Sequence, residues 1–340
     1  MNLKNIVICS VFVVLLITLS GCNLDSVITT TIEENPNLYV DSLVVFNGNQ
    51  IIFSDYQSGD IYCFDTSSFE ISVLFQGTSA FKLFSQDSNV YFFNKSDFFV
   101  YRFSLERLNL EKVTNVFDDI WMIANNKIYG NIFDSSANNR LFEYSLESSQ
   151  LTEICLLDGD FQSFHGNRLA YSNETFYKTA YTDDGIFVVS VDLSGEKTRL
   201  DNYKDTQFTH ATQHYFFGQN NEGIYRINQK NKQIESIIPR GKLLGVDDER
   251  VFYVIMENGK YSLYVYKDNI SELLLLDFPY TSPFLQDNKF HIIGEWVYFL
   301  SLSNLSDRTT THKLSLSENA KVYQYLFSLK NKSLLLFELE

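Results

Sequence analysis

The stretch Val90-Tyr91-Phe92, followed ten residues on by Val100-Tyr101-Arg102-Phe103, is the clearest copy of a pattern that recurs along the chain. A turn of Asn, Gly, Asp or Gln precedes a short apolar or aromatic run seven times, and these runs start 36 to 46 residues apart. The seven runs are Ile51-Ile52-Phe53, Val90-Tyr91-Phe92, Ile128-Tyr129-Gly130, Leu169-Ala170-Tyr171, Tyr215-Phe216-Phe217, Val251-Phe252-Tyr253 and Val297-Tyr298-Phe299.

A second motif follows six of these runs and reads aliphatic, aromatic, any residue, then aromatic or aliphatic, as in Ile61-Tyr62-Cys63-Phe64 and Leu263-Tyr264-Val265-Tyr266. Weaker strand-like segments precede the first motif and follow the second. The seventh unit offers two candidates for its second motif, Thr311-His312-Lys313-Leu314 and Gln324-Tyr325-Leu326-Phe327. The second candidate implies an insertion from about Ser303 to Val322.

Four short strands in each unit of about 40 residues are typical of a β-propeller blade. The runs are apolar on successive residues, which favours strands that are covered on both faces. A β-sandwich and a β-helix are the alternatives. The sequence therefore predicts an all-β protein in which residues 37–340 form a β-propeller, with seven four-stranded blades and with six or eight as alternatives.

Two segments also resemble a known family: Ile224-Tyr225-Arg226-Ile227-Asn228, and the strand, polar turn and strand of residues 191–200. They are similar to a bacterial domain family described as like the β-propeller of low-density lipoprotein receptor-related proteins. The resemblance implies the same fold. It implies no receptor-type ligand, because the Tyr-Trp-Thr-Asp motif of the receptor propellers is absent from this sequence.

The N-terminus has the layout of a secretory signal over residues 1–21, with Lys4 followed by an apolar segment from Ile6 to Leu19. Leu19-Ser20-Gly21-Cys22 resembles the lipobox of bacterial lipoproteins. The resemblance implies that Cys22 carries the lipid and that the protein is anchored to the extracytoplasmic face of the cell membrane. An ordinary signal peptide or an uncleaved helix is the alternative.

Residues 22–36 would then form the lipidated N-terminus of the mature protein. Residues 27–32 are all β-branched, which favours a strand over a loose tether. We predict that this strand completes the last blade and closes the ring, the alternative being disorder. Residues 23–26 would then be the whole spacer, with a reach of about 14 Å at most.

The composition limits the partners of the chain. A formal charge of -15 repels phosphate backbones and anionic headgroups, so we expect neither nucleic-acid binding nor electrostatic membrane binding. We expect no cofactor. Cys63 and Cys155 fall in different predicted blades with a whole blade between them, which argues against a disulfide.

No catalytic constellation is evident in the sequence. His210 and His214 lead into a strand, where residues four apart lie about 13 Å from each other, so we expect no metal site there. Acidic pairs at residues 118–119, 183–184 and 247–248 could serve glycoside chemistry or hold calcium, but Asp is also common in turns.

The best candidate for a ligand site is the excursion from Asn173 to Gly185, which we predict to be a loop. It holds five residues of interest: Phe176, Tyr177, Tyr181, Asp183 and Asp184. Exposed aromatic rings beside carboxylates can stack on sugars or grip peptides. The alternative is aromatic packing beneath the loop.

These observations predict a lipid-anchored, extracytoplasmic propeller that acts as a non-enzymatic binding or assembly platform for a protein or a glycan. The alternative is an extracytoplasmic carbohydrate-active or lyase-type propeller enzyme. A convergent cluster of carboxylates, His or Arg at the axial mouth of the ring would favour the enzyme.

Overall fold

The computed structural model describes residues 42–161, 169–182, 185–200, 206–247, 249–279, 290–302 and 322–337. These residues form seven antiparallel sheets of four strands each. The only helical element described in them is a 3-10 turn at Gly159–Phe161. The described residues contain no helix with the length and apolar character that crossing a membrane requires.

Each sheet is a blade built from four consecutive strands. Blades one to four are β1 Val44–Asn47, β2 Gln50–Ser54, β3 Ile61–Asp65, β4 Ile71–Phe75; β5 Ala80–Gln86, β6 Asn89–Asn94, β7 Val100–Ser104, β8 Leu110–Thr114; β9 Asp119–Ala124, β10 Lys127–Phe133, β11 Asn139–Ser145, β12 Leu151–Leu157; and β13 Ala170–Ser172, β14 Thr175–Thr182, β15 Gly185–Asp192, β16 Lys197–Leu200. Blades five to seven are β17 Gln207–Ala211, β18 Tyr215–Asn220, β19 Gly223–Asn228, β20 Ile234–Ile238; β21 Lys242–Val246, β22 Val251–Glu257, β23 Lys260–Lys267, β24 Ile270–Phe278; and β25 Phe290–Ile293, β26 Trp296–Leu302, β27 Val322–Ser328, β28 Ser333–Phe337.

The blades form a ring, with the first strand of each blade innermost. In most neighbouring blades the first strands contact each other, as β1 and β5 do, and β25 of the last blade contacts β1 of the first. Fourth strands such as β4 and β8 are largely exposed on the outside. The protein is therefore a seven-bladed β-propeller, as the sequence predicts.

The apolar core is divided into seven clusters, and each cluster lies between two neighbouring blades. Successive residues of one strand enter different clusters, because side chains alternate across a strand. Ile51 and Phe53 pack toward blade seven, whereas Ile52 between them packs toward blade two. The unbroken apolar runs in the sequence arise because both faces of each blade are buried.

The interface between blades one and seven, which we call the seam, closes the ring. The Phe337 ring stacks on Phe53 at 4.7 Å between centroids, and Phe64 meets Trp296 edge-on at 5.7 Å. Gln324 Nε2 donates to Asp55 Oδ1 at 2.7 Å across the same interface. In the described residues the two ends of the chain are thus joined by side-chain contacts and hydrogen bonds between complete blades.

The other interfaces also carry hydrogen bonds. Ser54 Oγ of blade one donates to the Ala80 carbonyl of blade two at 2.7 Å. The buried Lys82 Nζ of blade two binds Asp119 Oδ1 and the Ile120 carbonyl of blade three. Removing one partner of the Lys82–Asp119 pair would leave the other charge uncompensated, so this pair links blades two and three.

The predicted ring-closing strand at residues 27–32 lies outside the described residues and stays a prediction. The seventh blade already takes four strands from β25 to β28. A strand from the N-terminus would therefore be a fifth strand there.

The third strand of blade seven is β27, which contains residues 324–327. Of the two candidates for the second motif of the seventh unit, Gln324-Tyr325-Leu326-Phe327 is therefore the correct one.

The prediction for blade four is wrong in register. Leu169-Ala170-Tyr171 was expected to begin the second strand, but Ala170–Ser172 is the first strand. The true turn is Asn173-Glu174, whose two residues adopt positive φ of 50° and 56° without a glycine. The second strand then begins at Thr175, a residue outside the aliphatic pattern. The excursion predicted as a loop over residues 173–185 is thus largely strand.

The seam makes a direct prediction for stability. Phe337 is 5% exposed and stacks on Phe53, so Phe337→Ala should lower the free energy of unfolding by about 3–5 kcal/mol. Leu336→Ala is the matched control, because Leu336 is 40% exposed on the same strand and should change stability by less than about 1 kcal/mol. Urea denaturation followed by fluorescence measures both, and equal losses would contradict the role given to the seam.

Candidate functional site

One face of the ring carries two turns from each blade, the turn between its first and second strands and the turn between its third and fourth. We call it the hairpin face. In six blades the second of these turns donates a backbone N–H to the first, as from Thr66 to Asn49 at 2.8 Å in blade one and from Leu329 to Glu295 at 2.9 Å in blade seven. The paired turns form a rim around this face.

Blade six lacks, in its described residues, the paired turns that the other six blades contribute to the rim. Its third and fourth strands are joined by two residues only, Asp268-Asn269, where the other blades use four or five. Both residues adopt positive φ, of 51° and 63°, as a two-residue hairpin requires and as Asp and Asn tolerate. In the described part of blade six the backbone bond between the turns does not occur. The short turn leaves the rim open beside blade five.

A cleft of about 530 Å³ lies at this opening, between blades five and six. Phe217 and Val251 lie among its lining residues and are both 5% exposed, so they form its floor. The half-buried Tyr215 and Tyr266 also line it. Its volume is within the range of about 300–1,000 Å³ that is usual for small-molecule sites.

Two ion pairs lie among the lining residues of the cleft. Arg250 Nη2 lies 2.6 Å from Asp247 Oδ2, and Arg250 also donates to the Gly294 carbonyl of blade seven at 2.9 Å. The Lys267 ammonium donates to Glu249. That bond lowers the pKa of the Glu249 carboxyl and raises the pKa of Lys267. Both groups are therefore charged at neutral pH.

Arg226 is the third cation of the cleft. Its Nε donates to Glu235 Oε2 at 2.7 Å, and its guanidinium lies 4.8 Å from the Tyr215 ring centroid. This contact holds the Tyr215 ring in place at the side of the cleft, because the face of an aromatic ring attracts a cation. On the other side of the cleft, the Tyr266 hydroxyl donates to Asn269 Oδ1 at 2.8 Å and orients that ring as well.

The aromatic residues predicted as a ligand site lie elsewhere, in β14 of blade four. Phe176 is 1% exposed and packs edge-on against Trp121 at 5.3 Å, so its ring has no exposed face to offer. Tyr177 is half-buried, meets Phe216 of blade five at 4.6 Å and lines a smaller groove of about 280 Å³. The predicted loop is wrong here, and the alternative of aromatic packing describes Phe176.

The remaining residues of the predicted ligand site are Tyr181, Asp183 and Asp184. Tyr181 lies within β14, Asp183 and Asp184 lie outside the described residues, and so does Cys22. The binding role of the segment stays a prediction.

Three of the other candidates, Asp118, Asp119 and His210, have structural partners. Asp118 Oδ2 accepts the Phe133 N–H at 2.7 Å, and Asp119 binds Lys82. His214 lies exposed in a turn, whereas His210 is buried in β17, with Nε2 3.2 Å from the Leu244 carbonyl oxygen. The described residues contain no group of three or more metal-binding side chains.

Both body cysteines are free thiols. Cys63 lies in β3 of blade one and Cys155 in β12 of blade three, as predicted, with blade two between them. Burial raises the pKa of Cys63, and it raises the pKa of Cys155 to about 11. Both thiols are therefore protonated at neutral pH and react slowly.

Comparison with known proteins supports the fold. No protein-family model matches the sequence, and no curated protein sequence matches it. Among solved structures, a puromycin hydrolase S511A mutant in complex with PGG has a TM-score of 0.56 at 9% identity, over 87% of this chain and 53% of that one. A puromycin-hydrolyzing peptidase from Mycobacterium tuberculosis has a TM-score of 0.53 at 9% identity, over 90% and 54%.

The β-propeller domain of the Trilobed protease from Pyrococcus furiosus, described as having an open velcro topology, has a TM-score of 0.52 at 10% identity, over 84% of this chain and 95% of that domain. This chain spans about half the length of the two puromycin-hydrolysing enzymes. At these identities the likeness concerns the propeller fold alone.

The buried His210 makes a prediction for acid stability. Burial lowers the pKa of His210 to about 3, whereas an unfolded His titrates near about 6.5. Only the unfolded state gains this proton as the pH falls from about 6.5 toward 3, so folding loses stability in that window. His210→Gln removes the titration and should make the loss of unfolding free energy between pH 7 and pH 4.5 smaller than in wild type by about 2–3 kcal/mol.

The matched control is His214→Gln, because His214 is exposed. This variant should lose stability with acid as the wild type does, measured by urea denaturation at both pH values. Equal losses of unfolding free energy in wild type and His210→Gln would show that protonation of His210 in the unfolded state does not account for the loss of stability in acid.

Proposed function

We propose that this protein is a lipid-anchored, non-enzymatic binding platform on the extracytoplasmic face of a bacterial membrane, which holds a protein or a glycan at its hairpin face. The observation that carries the proposal is the cleft between blades five and six. It is the place where the rim of paired turns is interrupted, and its aromatic and charged side chains are held in position by bonds to one another. A concave site whose side chains are already held in position supports a ligand-binding role.

The lipid anchor is the second part of the proposal. It is supported by the apolar segment from Ile6 to Leu19 and by the following Leu19-Ser20-Gly21-Cys22. A diacylglycerol on Cys22 would bury two acyl chains, and two chains anchor a protein stably where one chain does not. Such an anchor would keep the partners of the platform close to the membrane.

The anchor is tested by Cys22→Ser in the producing cell. The variant should move from the membrane fraction to the soluble fraction and keep the thermal unfolding midpoint of the wild type, because the substitution lies outside the propeller. Cys63→Ser is the control and should stay in the membrane fraction. Retention of the Cys22→Ser protein at the membrane would overturn the lipoprotein assignment.

The binding role is tested by photo-crosslinking in intact cells. The probe p-benzoylphenylalanine replaces Glu249, which is exposed at the cleft, or, as a control, Asp87, which is exposed on the hairpin face at blade two. Crosslinked products that form from residue 249 and not from residue 87 are the expected result. Absence of products at both positions, or the same products at both, would contradict a platform that works through the cleft.

A further inference from the structure

The charges of the cleft cancel. The cations that line it are Arg226, Arg250 and Lys267, and the carboxylates that line it are Asp247, Glu249 and Asp268, so the formal sum for these described residues is zero. Arg250 and Lys267 are paired with carboxylates of the lining, and Arg226 is paired with Glu235 just outside it. A phosphate or a carboxylate ligand would have to displace one of these pairs, and the -15 charge of the whole chain would also repel it.

The backbone at the cleft offers no strand edge. The lining side chains on strands belong to β18, β19, β22 and β23, which are the second and third strands of blades five and six. Each of these strands is hydrogen-bonded to a neighbour on both sides. An extended peptide therefore cannot add to a sheet here, which is the usual way for a groove between strands to hold a peptide main chain. Recognition at the cleft does not use a strand edge.

The side chains present are those that suit a sugar. One face of a pyranose ring carries C–H groups, which pack on an aromatic ring, and its hydroxyls both donate and accept hydrogen bonds. Tyr215 and Tyr266 supply the rings. A guanidinium has five N–H donors, and the bond to Glu235 uses one donor of Arg226. Asp268 and Asn269 are exposed in the turn and supply acceptors and amide donors.

The fixed positions of these groups favour binding. Tyr215 is held by Arg226, and Tyr266 is held by Asn269. The floor at Phe217 and Val251 belongs to the blade five to six interface, so it cannot move without loosening the ring. Little conformational entropy is then lost when a ligand enters, which matters for a sugar because its hydrogen bonds replace equally good bonds to water.

Resting on the proposed function above, we propose that the cleft between blades five and six binds a neutral oligosaccharide, with its sugar rings stacked on Tyr266 and Tyr215 and its hydroxyls bonded to Arg226, Asp268 and Asn269. These contacts need no strand edge, and the lack of charge of the sugar matches the cancelled charges of the cleft.

The test is an array of neutral and acidic oligosaccharides probed with the full-length chain purified in detergent, followed by titration calorimetry with the best neutral oligosaccharide. Tyr266→Ala and Tyr215→Ala should each weaken binding by about tenfold or more, as loss of a central aromatic contact does. Tyr225→Ala is the matched control, since Tyr225 lies on β19 of the same blade but bonds Glu222 at the opposite face, and it should change affinity by less than about twofold.

Thermal unfolding of each variant separates lost binding from lost folding, and Asp268→Asn, which lies in an exposed turn, gives a second measure that does not touch the core. It should weaken binding without changing the unfolding midpoint. The inference would be overturned if neutral oligosaccharides failed to bind, or if they bound the Tyr266→Ala and Tyr215→Ala variants as tightly as the wild type. Binding restricted to acidic glycans or to peptides would overturn it too.

The two proposals fail separately. Crosslinks to a protein from residue 249 in cells, together with an array on which no neutral sugar binds, would refute the glycan and leave the platform in place. Crosslinking that is absent or unspecific, together with an array on which no neutral sugar binds, refutes the platform itself.

Discussion

The packing of each blade against two neighbours is the constraint on which the rest of this structure depends. No blade buries its own core, because the two faces of every sheet belong to two different apolar clusters. An isolated blade would expose both faces. Opening the ring would expose one face of blade one and one face of blade seven, and the seam between these blades, with Phe53, Phe64, Trp296 and Phe337 in contact, is where those faces are buried.

Closure also explains how one irregular turn can produce a site. The rim turns of the hairpin face are supported by strands that the neighbouring blades hold in place. Shortening one of them, at Asp268-Asn269, opens a cleft without disturbing the sheet beneath it, since the floor at Phe217 and Val251 is part of an inter-blade cluster. The same rigidity fixes the ion pairs around the cleft. The structure thus separates the residues that hold the ring from those that face a ligand.

The fold could be predicted from the sequence because it rests on a repeated pattern, while the site could not because it rests on an exception. Runs such as Val90-Tyr91-Phe92 mark second strands in six of the seven units. Blade four escaped this rule, since Leu169-Ala170-Tyr171 imitates the motif at the first strand while Lys178 interrupts the apolar run of the true second strand. The cleft residues come from two neighbouring blades and lie about 40 positions apart in the sequence. The only sequence signal of the cleft is the turn after Lys267, which is two residues long where the other blades have four or five.

Hydrogen exchange measured by mass spectrometry at rising urea concentrations tests most directly whether the seam holds the ring as one unit. If it does, peptides from the inner strands β1, β9, β17 and β25 become exchange-competent together, at the urea concentration where the whole protein unfolds. The account would be contradicted if β1 and β25 opened at clearly lower urea than β9 and β17. That result would mean that the middle blades form a stable core without closure, and that their stability does not depend on the packing between blades one and seven.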